Sequence, residues 1–173
     1  MYLFVDLKTN GPKTWPFVLK ALEPLRAKGY LSHVVDGRYI ERPVTVIGTG
    51  LAPFRDIKAN ENRDAFFDGP LKDVSADDVT ALISPIASTS FKRQFGRIRD
   101  GEKFRNSTQI EKLKKQVEAA HAKGILARYW DLPKYPISLR NHIWQILTDE
   151  DVDLLNVDDL KDAAGFWTLN NQA

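Results

Sequence analysis

Cysteine is absent from all 173 residues, which removes disulfide frameworks, thiolate nucleophiles and sulfur metal ligands together. Any nucleophile here is an oxygen, an imidazole or an amine, and only three histidines are present. An excess of one charge is also missing. Lys+Arg 25 against Asp+Glu 23 leaves +2, too little to steer the chain to nucleic acid or to an anionic surface by net field alone. Long apolar runs are lacking as well: Met1 to Asp6 has no basic leader and no stretch long enough for a signal peptide or a membrane span, and the compartment is not legible. No internal repeat or low-complexity linker divides the sequence. At 43% hydrophobic, the chain can bury one sizeable core and reads as one domain over residues 1–173.

What is present is an alternation of two periods. Leu3 to Lys8 is a short apolar run ended by Asn10-Gly11-Pro12, and a helical stripe of Val18, Ala21, Leu22 and Leu25 follows, with Thr14 as its expected cap and Gly29 as its stop. Asp36-Gly37 lies inside Leu31 to Pro43 and suggests a hairpin excursion. Val44 to Ile47 is β-branched throughout and precedes Gly48-Thr49-Gly50, expected to be a loop. Ala65 to Asp68 and Leu82 to Ser88 are further strand candidates. Thr108 and Glu111 spell a capping box ahead of Ile110, Leu113, Val117 and Ala120. Ile125 to Trp130 is a strand, Ser138 is expected to cap the next helix, Asp153 to Val157 is the last strand, and a short helix from Asp159 closes the chain. Strands alternating with helical stripes imply parallel βαβ units, here about six of the eight strands of a TIM (β/α) barrel with helices on the outer face.

Alternate residues of a strand share a face, so Phe4, Asp6 and Lys8 are expected inside the barrel while Leu3, Val5 and Leu7 meet helices. A carboxylate at that mouth suits a hard divalent cation, and the ammonium suits a phosphate oxygen; equally, Asp6 and Lys8 neutralise each other. The same parity groups Leu126, Arg128 and Trp130 on one strand, and Leu154, Asn156 and Asp158 on the last. Arg128 can clamp a phosphate or pair with Asp131 or Asp158, and spacing alone makes Trp130 a core residue. His121 reads as structural at a helix end, His33 and His142 lie away from strand ends, and Lys112, Lys114 and Lys115 read as a solvated helix face.

Five ordered blocks, Leu3 to Thr9 (LFVDLKT), Val44 to Gly50 (VTVIGTG), Arg63 to Leu71 (RDAFFDGPL), Ala120 to Pro133 (AHAKGILARYWDLP) and Arg140 to Leu160 (RNHIWQILTDEDVDLLNVDDL), resemble the family of altered inheritance of mitochondria protein 6. That family belongs to the phosphatidylinositol phospholipase C-like phosphodiesterases. The resemblance implies a phosphoric diester hydrolase of lipid metabolism that uses magnesium or another divalent cation. It implies Asp6 as a metal ligand, Lys8 as the catalytic cation beside the phosphate and Trp130 as a substrate-binding residue, and the strand parity adds Arg128 and Asn156 to the expected substrate-binding set. The implied partner is a phospholipid-like or glycerophosphodiester substrate, with neither nucleic acid nor a transmembrane segment.

The family also places a histidine on its first strand and a Glu-x-Asp pair on its second, and this chain is expected to be a truncated C-terminal portion without them. Two expectations follow. One is a phosphodiesterase whose activity needs the complete fold, and the other is a non-catalytic remnant that binds a ligand or serves as a scaffold, with self-association through unpaired strand edges.

Overall fold

Six strands pair in parallel in this computed structural model, which describes residues 1–98, 104 and 107–170. They are β1 (Tyr2–Leu7), β4 (Thr45–Gly50), β5 (Ala65–Pro70), β6 (Ile86–Ser90), β7 (Leu126–Trp130) and β8 (Leu154–Leu155), and their order in the sheet is their order in the chain. Between them run α1 (Gly11–Ala21), α2 (Glu23–Ala27), α3 (Phe54–Ala59), α4 (Phe91–Phe95), α5 (Ser107–His121) and α6 (Ile137–Asp149), with α7 (Leu160–Asn170) last. Successive crossovers of one hand curl such a sheet, and the result is a half-barrel, as the alternating periods predict.

The two faces of each strand separate cleanly. Leu7, Val46 and Ala65 point outward into a core with Trp15 of α1, Leu22 between α1 and α2, and Ile57 of α3. Ala87, Ala127 and Tyr129 point outward into a second core with Phe91, Leu113, Val117, Ile143 and Leu147. The inward face starts apolar: Phe4, Ile47, Phe66, Ile86, Leu126 and Leu154 form one layer. Its plug comes from the expected hairpin, β2 (His33–Val35) paired antiparallel with β3 (Arg38–Ile40), whose Val34 is buried against that layer. Tyr39 lies 5.7 Å from the Phe66 ring and shares a hydrogen bond with Thr45. One end of the half-barrel is thereby filled, and the polar residues one step further along each strand face the other.

Several local expectations need correction. The first helix begins at Gly11, not after Thr14, because the Asn10 carboxamide accepts the Lys13 N–H at 3.1 Å and caps the helix there. It stops at Ala21, since Pro24 has no N–H with which to extend the i→i−4 ladder, and α2 restarts at Glu23. Thr108 is not a cap, because Ser107 is already helical; Glu111 instead pairs with Lys115 one turn on. Pro136, not Ser138, precedes α6. Gly48-Thr49-Gly50 is no loop but the end of β4. A Cβ on Gly48 would stand 2.9 Å from the Trp15 ring, so the glycine makes room for a helix residue packed on the strand.

Candidate functional site

The sequence places a polar residue on the inward face of each strand just beyond the apolar layer. Asp6 comes from β1, Thr49 from β4, Asp68 from β5, Ser88 from β6, Arg128 from β7 and Asn156 from the turn after β8. Register aligns Asp6 with Thr49 and Ser88 with Arg128. Parallel strands deliver all of these to the same end of the sheet, the end where barrel enzymes gather their chemistry.

Arg128 is the hub. Its Nη1 donates to Ser88 Oγ at 3.2 Å, its Nη2 donates to Asn156 Oδ1, and the guanidinium carbon lies 4.6 Å from the centre of the Phe4 ring. Asp68 Oδ2 is 3.9 Å from Nη1 and accepts the Thr49 hydroxyl at 2.8 Å. Desolvation lowers the Arg128 pKa from its ordinary value against the pull of Asp68 and Asp6. The same desolvation raises that of Asp68, opposed by Ser88, Thr49 and Arg128 and reinforced by the negative charge of Asp6. Asp68 Oδ1 is buried without a well-aligned donor; the Ser88 hydroxyl stands near enough to pull the carboxyl down but forms no good bond to that oxygen.

Asp6, Arg128 and Asn156 are therefore brought together as the strand parity predicts. Lys8 lies past the end of β1 on the rim, its Nζ 2.5 Å from Asp6 Oδ2, so the mutual neutralisation expected as one alternative is realised as an exposed pair. Arg128 pairs with neither Asp131 nor Asp158: Asp131 accepts the Ser90 hydroxyl and Asp158 pairs with Lys134. Trp130 is not core. It is 37% exposed at the rim, with Arg93 5.9 Å from its ring, and with Asn156 it lines a cavity of about 620 Å³. His121 is structural as expected, its Nε2 2.8 Å from Asp153 Oδ2, an oxygen that also accepts the Ala127 N–H. Asp68, Thr49 and Ser88 escaped sequence reasoning, although the parity that picks out Asp6 and Arg128 also puts Asp68 on the face of Phe66.

Gly50 fixes how closely β1 and β4 meet at this mouth. Its φ of +69° is a left-handed conformation, and a Cβ there would fall 2.3 Å from Asp6 Oδ1.

Known proteins bear on this arrangement. A family model for the AIM6-like phosphodiesterase domain matches residues 1–68, the segment that carries Asp6, Gly50 and Asp68. An altered inheritance of mitochondria protein 6 homolog from Arthroderma benhamiae is 46% identical over 169 residues, covering 96% of this chain and 53% of the relative. Altered inheritance of mitochondria protein 6 from Eremothecium gossypii is 35% identical over 182 residues, covering 96% of this chain and 46% of the relative. Over nearly its whole length the chain is similar to altered inheritance of mitochondria protein 6. It spans about half the length of the curated relatives it matches. No solved structure matches it significantly.

Asp6 and Asp68 agree in kind with the divalent cation that the resemblance implies, since hard ions take carboxylate oxygens. Number is another matter. Among the described residues, no three of His, Cys, Asp and Glu come together in a metal-binding group.

Proposed function

We propose that this chain supplies the phosphodiester-binding half of a metal-dependent phosphoric diester hydrolase mouth, acting on a phospholipid-like or glycerophosphodiester substrate. The observation that carries it is Arg128, a half-buried guanidinium on the inward face of β7 with Asn156 and Ser88 bound beside it. A planar, permanently charged donor held this way suits a phosphodiester oxygen. Asp6 contributes one oxygen ligand to a divalent cation, preferably magnesium, completed by oxygens other than those described. Lys8, released from Asp6, offers its ammonium to the same phosphate, and Trp130 walls the group beyond it.

The test is a phosphodiesterase assay, with magnesium and with chelator, on this chain and on a full-length relative. Substitution of Asp6, and of its aligned position in the relative, by Asn should abolish magnesium-dependent hydrolysis in whichever protein shows it, and loss of Arg128 should lower the rate by two orders of magnitude or more, as loss of a charge-stabilising donor does. A relative that hydrolyses no phosphodiester with any divalent cation would sink the proposal. A second reading, a non-catalytic ligand-binding module or scaffold, draws on the Asp6–Lys8 pair, which already satisfies both charges. It expects phosphate binding that needs Arg128, no turnover, and pairing of the open edges β1 and β8 with other chains, seen by light scattering.

A further inference from the structure

We infer that the rim above β6 and β7 is a docking surface for an anionic lipid bilayer. The apolar part comes first. Tyr135 is 80% exposed, Ile137 52% and Trp130 37%, all in or beside the loop that leaves β7 at the mouth. Side chains of this size are normally withdrawn from water when a fold has room to bury them, and here Trp130, Tyr135 and Ile137 line the same cavity of about 620 Å³. Aromatic rings with a polar tip favour the headgroup level of a membrane.

The charges beside them decide the partner. Ser90 and Trp130 are in register, so α4 rises from β6 directly next to that loop. Lys92, Arg97, Lys134 and Tyr135 line a second cavity of about 330 Å³ between the two, and Arg93 lies against Trp130. Lys92, Arg93 and Arg97 are exposed, and among the described residues none of them has an ion-pair partner. Of the neighbouring acids, Asp158 pairs with Lys134 and Asp162 with Arg140, while Asp131 accepts the Ser90 hydroxyl and Asp159 the Asp162 N–H, hydrogen bonds from neutral groups that do not offset a charge. Lys92, Arg93 and Arg97 stand together beside these rings, a local cluster that a net charge of +2 does not reveal. Basic side chains next to exposed aromatics, on an open surface and not in a groove that tracks a strand, match a sheet of anionic headgroups.

The experiment is co-sedimentation of the chain with phosphatidylcholine vesicles, with and without phosphatidylserine, at low and high salt. Binding should require phosphatidylserine and weaken with salt, and each of Lys92→Ala, Arg93→Ala and Arg97→Ala should weaken it about fivefold. Tyr135→Ser with Ile137→Ser should weaken it as well while leaving thermal unfolding unchanged, because both side chains are exposed. Arg38→Ala, at the plugged end, should bind as the parent does. Absence of binding, rim variants that bind like the parent, or an equal loss in Arg38→Ala would each overturn the inference; so would tighter retention by nucleic acid or by a second copy of the chain than by the vesicles. The assay needs no turnover, so Arg128→Ala should still bind, and failure here leaves the phosphodiester proposal untouched.

Discussion

The guanidinium carbon of Arg128 sits 4.6 Å from the centre of the Phe4 ring, joining β1, at one end of the sheet order, to β7, next to the other end, across the interior of the half-barrel. A cation over an aromatic face is worth about 1–2 kcal/mol where water is excluded. Phe4→Leu keeps the apolar volume and removes the ring. It should lower the stability measured by urea unfolding by about that amount, with no change in slope, whereas the same substitution combined with Arg128→Met should cost little more than Arg128→Met alone. Equal, additive losses would mean that the two residues do not interact.

Gly48 and Trp15 form a second close relationship, between β4 and α1. A Cβ on Gly48 would approach two atoms of the indole at 2.9 Å and the Ala52 Cβ at 3.1 Å. Gly48→Ala should therefore destabilise by about 1–3 kcal/mol, the usual cost of overpacking. Trp15→Leu loses buried area by itself, but it should recover part of the Gly48→Ala loss in the double variant. Thermal melts of the four proteins check this directly.

Most of the frame was legible because it depends on period. Leu3, Val5 and Leu7 against Phe4 and Asp6, or Leu126 and Arg128 against Ala127 and Tyr129, assign both faces of a strand without coordinates. Boundaries failed where a local hydrogen bond outranked the pattern. Asn10 caps a helix that begins inside the Asn10-Gly11-Pro12 stretch read as a loop, and Gly48-Thr49-Gly50 resembles a turn until Trp15 explains the missing side chain. The site was half visible. Asp6, Arg128 and Asn156 follow from parity, but whether Arg128 faces Asp68, Asp131 or Asp158 depends on strand neighbours forty to sixty residues apart, which spacing does not give.

Tyr129 carries no exposed surface, and its hydroxyl donates to Gln116 Oε1 at 2.7 Å. Gln116 in turn donates to Gln94, and Gln94 to Thr89, a chain of side-chain bonds that ties α5 to α4 and to the sheet. Burial holds the phenol well above the usual tyrosine range. Tyr129→Phe leaves the glutamine oxygen unpaired and should cost about 1–2 kcal/mol near neutral pH. An acid whose folded pKa is raised opposes folding once the unfolded chain ionises. The parent should therefore lose stability as the pH climbs past the ordinary tyrosine value, and Tyr129→Phe should narrow its deficit over the same range.

Asp68 offers the sharpest test of the mouth's electrostatics. Its side chain is 6% exposed and its carboxyl is raised by desolvation, while Ser88, Thr49 and Arg128 only partly offset that burial. A carboxyl whose folded pKa lies above its unfolded one favours folding while protonated. Below the unfolded value its contribution is fully present, and it is lost as the pH rises through the folded value. Asp68→Asn abolishes the titration and keeps an oxygen for the Thr49 hydroxyl. The variant should melt close to the parent in acid and progressively above it as the pH increases, the gap levelling off once the parent's Asp68 is charged. Arg128→Met should have the opposite sign at neutral pH, because it strips the carboxylate of its only cation within 4 Å among the described residues and pushes the carboxyl further up. Combining the two substitutions removes the buried charge along with its partner, so Asp68→Asn/Arg128→Met should recover most of what Arg128→Met lost. A parent and an Asp68→Asn variant whose melting temperatures run parallel from acid to neutral pH would show that Asp68 stays solvated in the protein and that the mouth is more open to water than its packing implies.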